Sequence, residues 1–216
     1  MLSYLLTNPL SFLIWLAALL IAISIHEASH AWTANRLGDP TARFAGRITL
    51  NPLAHLDPLG TLMLLFTGFG WGKPVPFDPY NLRDPRRDSA LISLSGPASN
   101  LILAVIFSLL WRLISYFFPL SHTILALIFF PFIQLNIALG IFNLIPLHPL
   151  DGGKILIGLL PQEKAYNIEE FLNRYSLITF ILLLLPLFRG HSLLDLIIRP
   201  LISGLQMFLV PMGNPV

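Results

Sequence analysis

A chain of 216 residues that is 55% hydrophobic and only 11% charged is too apolar for an ordinary soluble domain, where about a quarter of residues are charged; it reads as an integral membrane protein. The absence of cysteine excludes disulfides and thiolate metal sites, so any metal must be held by nitrogen and oxygen. The net charge of +2 and a pI near 9.2 come from basic residues in loops, with no run dense enough to track a phosphate backbone; a lipid bilayer surface is the expected contact and nucleic acid is not.

Residues 9–37 read as a first spanning helix, stopped by Gly38-Asp39-Pro40. The stretch from Leu10 to Ile25 has the look of a signal peptide's apolar core, but no Lys or Arg precedes it and the apolar stretch runs on to Ala34, so it is expected to stay uncleaved. The second half of 43–50 alternates polar and apolar residues, which predicts a short strand, and Asn51-Pro52 and Asp57-Pro58 mark turns. Residues 59–71 are apolar but fall short of the roughly 20 needed to cross a bilayer, so they read as a re-entrant or interfacial segment. Lys73 to Phe77 is extended, because its prolines disfavour helix and a central strand position.

After a charged loop at 80–88, residues 89–118 form a second spanning helix and 123–147 a third, bent or ended around Pro146 and Pro149. Residues 161–174 are polar and predict an interfacial helix, and 175–188 and 192–210 are further apolar segments. The expected architecture is a polytopic α-helical membrane protein forming one domain over 1–216. It has a three-helix catalytic core in about 9–155, short β or re-entrant segments, and one to three C-terminal helices in about 161–210.

Loop charges orient the spans. Arg36, Arg43 and Arg47 follow the first helix; Lys73, Arg83, Arg86 and Arg87 follow the short segment; Lys154, Lys164 and Arg174 follow the third helix. All three loops are therefore expected on the cytoplasmic side, with the second helix going out and the third returning. Arg112, Arg189 and Arg199 do not fit this pattern.

The chemistry concentrates in His26-Glu27-Ala28-Ser29-His30. Two histidines four apart on a helix point the same way and can share one metal, and Glu27 beside them can reach an activated water. From the chain's composition, chance placement of such a motif has a probability of roughly 0.003. Ionisable groups inside a spanning helix cost several kcal/mol, so three in one turn point to function. The pattern fits zinc, one per chain, with Glu27 as general base. A catalytic zinc needs a third protein ligand; His55, Asp57, His122, His148, Asp151 and His191 are the candidates. Asp151 lies where the third helix returns, beside Gly152-Gly153, and His148 is its rival.

Asn143-Leu144-Ile145-Pro146-Leu147-His148-Pro149-Leu150-Asp151-Gly152-Gly153 resembles the N-x-x-P-x-x-P-L-D-G-G motif of the site-2 protease family, the M50 intramembrane zinc peptidases. Gly96-Pro97-Ala98-Ser99-Asn100 and Gly72-Lys73-Pro74-Val75 resemble two further stretches of that family. The resemblance covers roughly residues 20–155 and implies a compact member without PDZ or CBS domains. It implies His26, His30 and Asp151 as zinc ligands, Glu27 as catalytic base, and Asn143 as a holder or polariser of the reacting carbonyl. The implied activity is regulated proteolysis of transmembrane-helix substrates in a bacterial or archaeal plasma membrane, with the site towards the cytoplasm. Oligomeric state stays open. The rival class is a membrane metal or proton transporter without proteolytic activity.

Asn136, Gly140 and Asn143 make one face of the third helix polar or small, and Ser93, Gly96 and Asn100 do the same on the second. Asn136 and the Ser93 stripe read as helix packing, although Asn100 could touch substrate; Asn143 reads as functional. His55 reads as a structural or solvated loop residue. The 48–50 and 73–77 segments are expected to pair with a locally unwound substrate by β-augmentation.

Overall fold

In the computed structural model, residues 7–67, 70–118, 121–185 and 192–211 are described. Helix α1 runs Pro9–Leu37; Asn8 caps it through its side chain, and Gly38 ends it with φ 114°, a left-handed conformation that glycine adopts without strain. A single turn of helix, α2 (Thr41–Phe44), follows, then α3 (Pro58–Thr67), which at 10 residues is too short to cross a bilayer. Helix α4 (Pro85–Phe117) has 33 residues, and α5 (His122–Asn143) has 22. Helices α6 (Asp151–Leu159), α7 (Gln162–Leu184) and α8 (Leu193–Leu209) complete the order.

Among the described residues, three helices are long and apolar enough to span a membrane: α1, α4 and α5. They are the three-helix core of a polytopic helical membrane protein. Helix α4 lies against both others, and α1 also touches α5. Their apolar centre is built from Ala104 and Trp111 of α4 with Leu125, Ile133 and Ile137 of α5. Helix α8 packs on α5 and is tied at its C-terminal end, where Ser108 donates to the Leu209 carbonyl and Arg112 donates to the Phe208 carbonyl at 2.8 Å. These side chains serve the carbonyls that every helix end leaves without intrahelical donors.

Several expected boundaries move. The second span starts at Pro85, because Asp84 caps the helix by accepting the Arg87 N–H and Pro85 takes a position where its missing N–H costs nothing. The third span ends at Asn143, and Leu144 to Leu150 form turns before the unforeseen α6. The polar helix at 161–174 and the apolar segment after it are one continuous helix, α7, as no breaker separates them.

The expected strand at 47–50 is a correction. Residues 48 and 49 form a bend, and the described residues contain no strand, only an isolated antiparallel bridge between Leu56 and Gly72. The polar groups that would build a ladder are used otherwise. The buried Arg47 guanidinium donates to the carbonyls of Lys73 and Pro74, Lys73 N–H donates to His55 O at 2.8 Å, and His55 Nε2 lies 2.8 Å from Thr49 O. Pro74 and Pro76 have no N–H to offer.

Candidate active site

His26 and His30 lie on the buried face of α1, 5% and 7% exposed. Their Nε2 atoms are 3.0 Å apart. Asp151, the first residue of α6, brings Oδ2 to 3.2 Å from His26 Nε2 and 3.3 Å from His30 Nε2. The far side of each imidazole is also held. His26 Nδ1 lies 2.6 Å from Asn100 Oδ1, and His30 Nδ1 lies 2.7 Å from the Ile92 carbonyl. Both partners are acceptors, so each Nδ1 carries a proton, and in the neutral ring Nε2 then presents its lone pair.

With both rings neutral, three acceptor atoms converge on one point, an arrangement that a cation among them relieves. Their mutual spacing suits one: zinc with bonds of about 2.0–2.1 Å has tetrahedral edges of about 3.3 Å. The three residues form the group among the described residues that could hold a metal ion.

The backbone around the cluster is shaped for close approach. A Cβ on Gly96 of α4 would lie 2.5 Å from His30 Cε1 and 2.7 Å from His26 Cε1, so only glycine lets α4 press against both rings. A Cβ on Gly152 would run into the carbonyls of Leu144 and Ile145, which explains how α6 tucks its first turn under the end of α5.

Glu27 is half-buried, and its Oε2 accepts the Val75 N–H at 3.1 Å. The Gly72–Val75 stretch therefore runs across the site. Asn143 donates to the Leu139 carbonyl at 3.0 Å, and its carboxamide oxygen has no partner among the described residues.

The other candidate ligands fall elsewhere. His55 is fully buried in the loop that Arg47 organises. Asp57 accepts the Gly60 N–H at 2.7 Å at the start of α3. His122 sits at the far end of the bundle, its ring 5.4 Å from that of Trp111. His191 lies outside the described residues. His148 lines a neighbouring cavity of about 660 Å³ with Val75, Arg86 and Lys154; burial, with the Lys154 charge, pushes its pKa down. A second, apolar groove of about 280 Å³ runs along α1 beside Ala28, Ser29 and Trp32, walled by Ile48 to Leu50.

Asn100 corrects the sequence reading. It does not merely pack helices; it holds a histidine of the cluster. The signal was present in the stripe Ser93, Gly96, Asn100, buried at one-turn spacing, of which Gly96 and Asn100 meet α1.

Comparison with known proteins agrees with this geometry. A protein from Bacillus subtilis named "Putative zinc metalloprotease YwhC" is 41% identical over 180 residues, covering 81% of this chain and 82% of the relative. This chain belongs to peptidase family M50. The family model itself matches residues 113–186, which contain Asp151 but not the α1 motif. Another family relative, "Putative zinc metalloprotease Rip2" of Mycolicibacterium smegmatis, is 32% identical over 83% of this chain and 71% of its own length. The "Zinc metalloprotease MJ0392" of Methanocaldococcus jannaschii is 23% identical over 74% of this chain and 38% of its own length. No solved structure matches. As an M50 member the chain is a zinc-dependent metalloprotease and an integral membrane protein.

Proposed function

We propose that this protein is an endopeptidase that cuts other membrane proteins within or near their transmembrane segments, as in regulated intramembrane proteolysis. One observation carries the reading: two imidazoles from inside a spanning helix meet a carboxylate from the turn after another, with Glu27 alongside. His26, His30 and Asp151 hold the zinc. When bound, zinc supplies Lewis acidity, making water acidic enough to lose its proton near neutral pH and polarising a carbonyl. Glu27 accepts the water's proton and returns it to the leaving amine, while the Val75 N–H fixes the carboxylate in place. Asn143, whose Nδ2 keeps a second N–H beyond the one given to Leu139, donates it to steady the carbonyl of the scissile bond.

The substrate must unwind locally, because a helix hides its peptide bonds in its own hydrogen bonds. Of the two segments expected to receive it, the one at 73–77 is tied inward through Val75 to Glu27 and through Arg47. The other stays available. The backbone groups of Ile48 and Leu50 have no internal partner among the described residues, and they border the groove along α1. The basic loops favour a site towards the cytoplasmic side, and the bacterial and archaeal relatives support a plasma membrane as its place.

Glu27→Gln tests the reading. The variant is expected to retain zinc and lose cleavage of membrane substrates by about 10²–10⁴-fold, read by comparing membrane proteomes of cells carrying either allele. Zinc flux that survives the substitution, with no cleavage by the wild type, would instead make the protein a transporter.

A further inference from the structure

Beyond the three ligands, a chain of buried amides ends on His26. Asn100 of α4 and Asn136 of α5 are both fully buried. Asn136 Nδ2 donates to the Phe132 carbonyl at 2.8 Å, which turns its Oδ1 towards α4. Asn100 Nδ2 donates to that oxygen at 2.9 Å and to the Ala22 carbonyl of α1 at 3.0 Å. With its nitrogen committed to two acceptors, Asn100 can present only its oxygen to His26 Nδ1, 2.6 Å away. The direction of every bond is set by two backbone carbonyls, Phe132 and Ala22, which cannot donate. The two ligand histidines differ here. His30 is oriented by a main-chain carbonyl, which no substitution removes, whereas His26 depends on a side chain.

We propose that Asn136 and Asn100 form a positioning relay that fixes the His26 proton on Nδ1 and thereby sets how tightly zinc is held. The inference rests on the reading of His26 as a ligand. The relay also makes the metal centre answer to all three spanning helices, since it runs from α5 through α4 to α1. Partners of this kind typically change metal affinity by about 10–100-fold when removed, because they hold both the ring and its tautomer. Asn100 is fully buried and meets His26 at Nδ1, away from the converging Nε2 atoms, so its effect is expected on metal binding first and on turnover at saturating zinc far less.

The test uses the full-length protein in detergent micelles, titrated with zinc against a chelator of known affinity. Asn100→Leu keeps the volume and removes the oxygen; about 10–100-fold weaker zinc binding is expected. Asn100→Ala removes the same oxygen without new bulk and carries the same expectation, so a folding defect in the leucine variant does not end the test. Asn136→Leu should weaken binding less, because Asn100 keeps its bond to the Ala22 carbonyl. Asn100→Asp retains an acceptor and should recover affinity. With ¹⁵N-labelled histidine and zinc bound, wild type and Asn100→Asp should show a His26 Nδ1 proton protected from exchange, and Asn100→Leu should not. Unchanged affinity in the leucine and alanine variants, with His26 still protected, overturns the relay. Loss of zinc by His26→Ala alongside that result would leave the ligand reading standing, whereas undiminished zinc binding by His26→Ala would sink both.

Discussion

Gly96→Ala is the smallest change that should disable the site. A methyl group there would stand 2.5 Å from His30 Cε1 and 2.7 Å from His26 Cε1, where ordinary contact begins at 3.4 Å. Relieving the overlap moves the His30 ring by about 0.9 Å and the His26 ring by about 0.7 Å, or pushes α4 back by as much. Neither ring can yield cheaply, since each is hydrogen-bonded on its far side to α4 itself. The acceptors are only 3.0–3.3 Å apart, so a shift of this size takes the triangle outside the geometry of one metal ion. Zinc affinity should fall by about 10–100-fold, and cleavage at limiting zinc by at least about 10²-fold. The control is Gly204→Ala in α8, where an added Cβ meets nothing within 4 Å and alanine should favour the helix by about 1 kcal/mol. Chelator competition, a cleavage assay and thermal unfolding of both variants decide the matter. A Gly96→Ala protein that folds, binds zinc like the wild type and cleaves normally would show that α4 does not set the spacing of the histidines.

Other perturbations separate the roles of the surrounding residues. Val75→Pro deletes the N–H that holds Glu27, and should lower cleavage by about tenfold or more while zinc content stays constant, since a hydrogen bond to a charged group is worth about 1.5–3 kcal/mol. Leu50→Pro, compared with Leu50→Ala, should raise KM for a membrane substrate without touching zinc binding; equal kinetics for the two would remove this segment from substrate binding. Arg47→Met strips the donors from the Lys73 and Pro74 carbonyls, and should make residues 72–77 newly sensitive to limited proteolysis.

Asp39 gives a pH dependence outside the spans. Burial alone would raise its pKa, but donors from Thr41, Asp78 and Asn81 outweigh burial and hold the carboxyl below the ordinary aspartate value. Its contribution to stability is therefore complete above about pH 4–5 and is lost as pH falls through the lower folded value. Hydrogen exchange at Asp78 and Asn81 should accelerate over that acid range in the wild type, and Asp39→Asn should flatten the profile.

What was legible in the sequence follows physical range. The three spans depend on local composition, and all three are found, with α1 at the expected 9–37. The His26 motif works through helical spacing, which needs no tertiary information, and His26 and His30 do meet. Asp151 needed a resemblance to be preferred over His148, because the turn after α5 has no periodicity from which its aim could be read; the structure brings Asp151, not His148, into the cluster. Asn100 and Asn136 were visible as polar positions in apolar helices, yet the same pattern serves packing and chemistry alike, and only the distance to His26 separates the two. The strand expected at 47–50 failed because alternation says nothing about a partner: here Arg47 and His55 take the carbonyls of Pro74 and Thr49, and the backbone groups of Ile48 and Leu50 have no partner among the described residues.

Ile92, Gly96 and Asn100 recur every fourth residue on α4, and they serve two histidines spaced by four on α1. The pair behaves like a short zipper with a fixed phase: an acceptor for one ring, a gap for both, an acceptor for the other. Inserting one residue between Ile92 and Asn100 would turn the distal half of the stripe by about 100° and leave His26 facing a different side chain. Grafting the histidine motif alone onto another transmembrane helix would therefore carry over the ligands without their alignment. A transplant that works should need this three-tooth segment of the neighbouring helix as well, at the same phase and running the opposite way.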